Sequence, residues 1–205
     1  SVYVYLNRDG TKKCVTLFQT KNNLIMIKKI LIGLGVFAII LVGAFFYLNN
    51  RNRTLSPPGK AELTAGNLSV AITYSRPSVR GRLIFGSKEQ DALQPFGVYW
   101  RLGANESTEI TFNRAVQFNG QTVDAGTYRI YAIPGPEAFE IILNSELGEW
   151  GAFEPDHTLD ILKTSVSVEK ITPPVEQFTS SLVPADSGID VVFEWSDTKF
   201  AIPVR

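Results

Sequence analysis

The sequence predicts an all-β domain, a single sandwich or barrel-like body of about ten short strands, preceded by one N-terminal transmembrane helix. Three observations lead there. Residues 30–48 (ILIGLGVFAIILVGAFFYL) run nineteen residues without a charge or a proline. Beyond them, short stretches alternate apolar and polar side chains with period two, broken by turn residues roughly every 8–12 positions. Nowhere in that later part does a 3.6-residue apolar period persist, so no amphipathic helix competes with the strands.

The apolar run, at about 1.5 Å per residue, matches a hydrocarbon core of ~30 Å. Lys28 and Lys29 precede it, Arg51 and Arg53 follow it, and Tyr47 stands near one end, where an interfacial aromatic is favoured. A cleaved signal peptide is the rival, with Val42-Gly43-Ala44 at cleavage spacing. That cut would leave Phe45-Phe46-Tyr47-Leu48 at the new terminus, so an uncleaved signal anchor over residues 26–53 is favoured. Met26 is the sole methionine and opens a basic n-region; residues 1–25, with Cys14, are expected to be an upstream extension or a short tail. The flanking charges barely separate the two orientations. The signal-like layout and the cysteine-free domain place the later residues outside the cytoplasm, in a periplasmic or other extracytoplasmic space.

Charge divides along the same line. Residues 1–53 carry eight basic side chains and one acidic, residues 54–205 twelve basic and nineteen acidic. An acidic domain repels phosphate backbones, which excludes a nucleic-acid partner. One cysteine and one histidine (Cys14, His157) exclude a disulfide framework and any site needing two of either.

After a polar linker around 54–59 with Pro57, Pro58 and Gly59, which resists helix, the domain is expected over 60–205. Residues 68–74 put Leu68, Val70, Ile72 and Tyr74 on one face. Residues 109–112 alternate likewise. Asn119-Gly120, between 115–118 and 121–123, favours a type I′ hairpin. Residues 127–133 set Tyr128, Ile130 and Ala132 against Tyr131 and Ile133, and 139–143 is apolar throughout, as a central strand requires. Strands at 161–168, 175–183 and 189–195 follow. A turn at Ser196-Asp197-Thr198 then leads into a last strand at 199–204.

No G-x-S-x-G, H-E-x-x-H or P-loop is present, and Gly33-Leu34-Gly35 lies inside the apolar run. A catalytic triad would need His157 with a serine that nothing identifies. An oxygen-ligand metal site could draw on Asp156, Asp160 or Glu154; acids in a loop are more often solvated, and neither metal nor cofactor is expected. Two stretches stand out. Residues 74–86 hold Tyr74, Arg76, Arg80 and Arg82; residues 96–108 hold Trp100, Arg101, Asn105 and Glu106. Guanidinium forks suit carboxylates and phosphates, and loops on a rigid β scaffold commonly present binding groups. The candidate ligand-binding set is therefore Tyr74, Arg76, Arg82, Trp100, Arg101, Asn105 and Glu106; all of these but Tyr74 are expected to converge in one cluster, with Arg80 turned to solvent. The competing expectation is that Arg and Glu pair with each other and with backbone carbonyls to hold the loops.

These two stretches, YSRP-x-x-R-G-R-x-I-F-G and P-F-G-x-x-W-R-x-G-A-N-E-x-T, resemble the bacterial domain of unknown function family 2911, common in Bacteroidetes-type genomes. The likeness continues through Ala125-Gly126-Thr127-Tyr128, Leu143-Asn144 and Trp150-Gly151. It implies an exported or membrane-anchored β domain and no particular activity. Three functions follow in order. The first is a membrane-anchored extracytoplasmic module binding a polar or anionic small ligand or a saccharide. The second is a structural or protein-interaction domain of the cell envelope. The third is a hydrolase using Glu106 with Asp156 or Asp160; the enzyme question leans to no.

Overall fold

The computed structural model describes residues 2–6, 8–10 and 12–205, with side chains at 8–10 and from 23 onward. Cys14 lies outside the described side chains. The chain divides into two units, Ser1–Asn50 and Arg51–Arg205.

In the first unit β1 (Val2–Leu6) pairs antiparallel with β2 (Lys12–Thr16), a hairpin in the stretch expected to be tail. The helix α1 (Leu17–Leu55) follows directly. Among the described residues it is the one helix long and apolar enough to cross a membrane. Leu31, Ile39, Phe45 and Tyr47 are all more than half exposed, so the apolar surface runs round the whole helix, as a lipid-facing segment requires. The helix runs on through Asn49–Leu55 and so takes in Thr54 and Leu55, placed in the linker above. Asn and Arg are tolerable helix residues; it is Pro57, lacking an N–H, that stops propagation, one residue after Ser56 N donates to Asn52 O at 2.9 Å.

The second unit is a β-sandwich. Its strands are β3 (Pro58–Ala65), β4 (Leu68–Ser75), β5 (Phe85–Gly86), β6 (Gln94–Pro95), β7 (Glu109–Phe112) and β8 (Val116–Phe118). Then come β9 (Gln121–Val123), β10 (Gly126–Ile133), β11 (Ala138–Asn144), β12 (Asp160–Ser167), β13 (Glu169–Ala185) and β14 (Gly188–Val204). A six-stranded sheet has the order β12-β11-β10-β7-β4-β3, and a four-stranded sheet the order β13-β14-β8-β9. Neither sheet closes on itself, so the barrel alternative falls. Inward side chains of both sheets form one core, with Ile72, Ile110 and Ile141 facing Phe178, Val191 and Ile202. Aromatic rings bridge the layers, Phe139 to Phe200 at 5.2 Å and Tyr74 to Phe178 at 5.7 Å.

The period-two pattern translates directly. Leu68, Val70, Ile72 and Tyr74 are buried, and Asn119 and Gly120 both take the left-handed backbone that a I′ turn needs, with φ of 48° and 82°. The expected turn at Ser196-Asp197-Thr198 is instead an irregularity within one 17-residue strand. Ser196 takes φ 55°, and the pairing with β13 shifts register from Thr179↔Glu194 to Val175↔Ser196. Inserted residues are absorbed as a bulge and the strand continues.

Candidate functional site

Three loops meet beside the β4 and β10 ends. The first leaves β4 at Ser75 and is held to β13 by Val79 N donating to Glu176 O at 2.8 Å. Arg80 and Gly81 both have positive φ, which turns the loop back so that Arg82 N reaches Val79 O at 3.1 Å. The second loop is hooked to β10 by a reciprocal pair between Trp100 and Ala132, at 2.8 and 2.9 Å. It then coils tightly through Leu102 and Asn105, whose φ values are 51° and 58°. Gly103 is needed there because a Cβ would sit 2.8 Å from Ser75 O. The third loop, 149–153, runs beside the second: Ser107 N donates to Glu149 O at 3.1 Å and Gly151 N to Asn105 O at 3.0 Å.

Between these loops lies a cleft of about 580 Å³. Arg82, Trp100, Arg101 and Asn105 of the sequence-derived set line it, together with Tyr99 and Trp150. Arg80, expected to face solvent, is exposed and lines the cleft as well. The remaining members lie elsewhere. Tyr74 and Glu106 line a separate hollow of about 410 Å³. Tyr74 donates to Ser180 O at 3.2 Å, and Glu106 forms an ion pair with Arg53. Arg76 packs over Gly59, and its Nη2 donates to Thr179 Oγ1 at 3.4 Å.

Among the described residues no acidic side chain lines the cleft, and none of Arg80, Arg82 and Arg101 forms an ion pair. Their partners are backbone carbonyls. Arg80 Nη2 donates to Leu55 O at 3.0 Å, Arg82 to Val79 O at 3.0 Å and Ser78 O at 2.6 Å, and Arg101 Nη1 to Asn105 O at 3.2 Å. Of the internal ties that sequence reasoning weighed, those to backbone carbonyls are present here and the Arg–Glu pairs are not. Arg101 is the constrained one. A Cβ on Gly151 would meet its Cδ at 2.8 Å, so that backbone rests against the side chain. Burial lowers its pKa from the ordinary arginine value; the nearby Tyr99 pulls it back up and the Arg129 charge adds to the lowering.

Sequence reasoning missed a second constellation, on the outer face of the six-stranded sheet beneath residues 145–159. Arg129 is buried and donates to Tyr99 Oη at 2.6 Å, Phe153 O at 2.6 Å and Glu146 Oε2 at 3.3 Å. Tyr131 Oη donates to Asp160 Oδ1 at 2.9 Å and lies 3.0 Å from His157 Nδ1. Asn144 Nδ2 donates to the same carboxylate at 2.8 Å. Burial drives the Tyr131 pKa far above the tyrosine range, and the bond to Asp160 pushes the same way. The available signal was Arg129 itself, a charge inside an otherwise apolar strand.

Of the acids weighed as metal ligands, Asp160 is occupied by Tyr131 and Asn144, and Asp156 accepts from Thr158 N at 2.9 Å and Thr158 Oγ1 at 2.7 Å. No metal-binding group of three or more His, Cys, Asp or Glu occurs among the described residues.

A family model described as a protein of unknown function (DUF2911) matches residues 56–204. No curated protein matches the chain, and no solved structure does.

Proposed function

The chain belongs to the DUF2911 family of proteins of unknown function, and from that premise we propose that residues 51–205 form a membrane-anchored, extracytoplasmic binding module for a small anionic ligand held in the arginine cleft. The observation that carries this is the uncompensated charge. Three guanidinium groups line one cleft without a carboxylate among them, although the domain is rich in acids. Arg80 and Arg82 are exposed, but Arg101 is half-buried, where a charge without a counter-ion is unfavourable, and an incoming oxyanion supplies the missing partner through charge-assisted hydrogen bonds.

The test uses the full chain in detergent micelles, titrated with inorganic sulfate and phosphate at constant ionic strength. Saturable stabilisation against thermal unfolding is expected, since a ligand that binds only the folded state raises its melting temperature. Arg101→Gln should abolish the response. The same flat melting curve for wild type and variant across both anions defeats the proposal. Protease added to intact spheroplasts should digest the β domain; full protection would move it to the cytoplasmic side.

A structural role in the cell envelope is the second reading. It draws on the carbonyl partners of Arg80, Arg82 and Arg101, which tie loops together. On that reading Arg82→Gln lowers the melting temperature and no anion raises it.

A further inference from the structure

We infer that the ligand is an acidic saccharide, a hydroxylated ring or two carrying a carboxylate or a sulfate; this rests on the proposed anion-binding function and narrows it. Size comes first. The cleft, at about 580 Å³, lies within the ~300–1,000 Å³ of small-molecule sites. An inorganic oxyanion displaces only a few water volumes of ~30 Å³ each, so most of the cleft would stay filled with solvent around it.

The lining describes what the remaining space suits. Asn52, Ser56, Ser78 and Gln94 contribute uncharged amides and hydroxyls, a set that both donates and accepts, as sugar hydroxyls do. Tyr99 and Trp150 contribute aromatic rings, and Trp150 keeps 36% of its surface exposed. A partly exposed indole offers a flat apolar face to the C–H side of a sugar ring without giving up hydrogen bonds. A purely apolar body would strand the amides and hydroxyls unpaired, which costs binding. A neutral sugar would leave the guanidinium groups uncompensated. Arg101 is the group assigned to the anion. Its stem is fixed against Gly151, and only Nη1 is committed, to Asn105 O at 3.2 Å, so the rest of the planar fork remains available to two oxygens of one oxyanion.

The experiment measures binding to the full-length protein in micelles by calorimetry, using digalacturonate, a monosulfated disaccharide, lactose and sodium sulfate. At least one acidic disaccharide should bind about tenfold or more tighter than both lactose and sulfate. Which of the two does so identifies the oxyanion. Arg101→Gln should remove binding of the acidic disaccharides and of sulfate together. Trp150→Ala and Gln94→Leu should each weaken the disaccharide severalfold and leave sulfate unchanged; two variants are used so that one misfolded protein does not decide the result. If sulfate binds as tightly as either acidic disaccharide, the saccharide inference is overturned and anion binding stands. If lactose binds equally well, charge contributes nothing and the inference also fails. If no probe binds, both fall together.

Discussion

Arg129 and Arg101 lie close enough to influence one another electrostatically and represent opposite uses of the same side chain. Arg129 is 1% exposed and has a carboxylate, a hydroxyl and a carbonyl around it. Removing it takes one donor each from Glu146, which keeps Asp156 N, and from Tyr99, which keeps Gly151 O, and frees Phe153 O, so Arg129→Met should cost about 1–3 kcal/mol in urea unfolding; a loss below ~1 kcal/mol would show that the network is not structural. Arg101 has no counter-ion, so Arg101→Met should leave the melting temperature unchanged or raise it, a common trade at binding positions. Glu106→Gln touches only the ion pair with Arg53, where the two side chains are 47% and 43% exposed. A loss under ~1 kcal/mol is expected in the same unfolding measurement, because Glu106 anchors none of the cleft arginines. Tyr99 and Tyr131 supply a pH test. Burial raises both pKa values, and in Tyr99 this outweighs the opposing hydrogen bond from Arg129. A raised folded pKa stabilises fully below the unfolded value of ~10 and loses that contribution as pH climbs beyond it. Tyrosinate absorbance should therefore show two tyrosines that ionise only as the domain unfolds at alkaline pH.

Strands with one face buried were legible because their alternation is the physical consequence of that burial; β4 and the β8–β9 hairpin are the clearest. The 17-residue β13 and β14 were not read as one ribbon. Pro173, Pro174 and Ser196 look like breaks, yet the paired strands carry them as register shifts, a choice made by cross-strand pairing rather than by local sequence. Another device is invisible in sequence. β12 is an edge strand, and its carbonyls at Ser165 and Lys163 accept from Asn119 Nδ2 and Gln121 Nε2 of the opposite sheet, both at 3.1 Å. Such capping blunts an edge that would otherwise recruit another chain. Asn119 also holds Thr164 Oγ1 at 2.7 Å. Asn119→Gly preserves the left-handed turn but deletes both bonds, so it should cost about 1–3 kcal/mol in urea unfolding, with more aggregation on light scattering. Equal stability and solubility would mean the edge needs no cap.

At the scale of the molecule, the two-unit division predicts that a chain beginning at Arg51 keeps the cooperative β transition while losing the helical circular-dichroism signal; a fragment that fails to fold would contradict it. The site was half legible for a related reason. Arg82, Trp100, Arg101 and Asn105 share the cleft, but Tyr74 follows the parity of Ile72 into the sandwich and Arg76 turns to β13. Glu106 follows the left-handed bend at Asn105, φ 58°, and pairs with Arg53 outside the cleft. Composition marks which residues are unusual, while the pleat decides which side they serve. The cleft has one further consequence. Leu55 O and Ser56 O already hold Arg80 and Asn105, the latter at 3.1 Å, so the chain leaving α1 is itself a competitor for the groups proposed to bind ligand. An anion that captures Arg80 then loosens residues 53–57, and a change that frees Leu55 O and Ser56 O from Arg80 and Asn105 favours anion binding in turn. Occupancy of the cleft would thus appear as slack in the chain leaving the helix, and faster amide exchange at Arg76, whose N–H is held by Pro57 O at 2.9 Å, is where that slack would register.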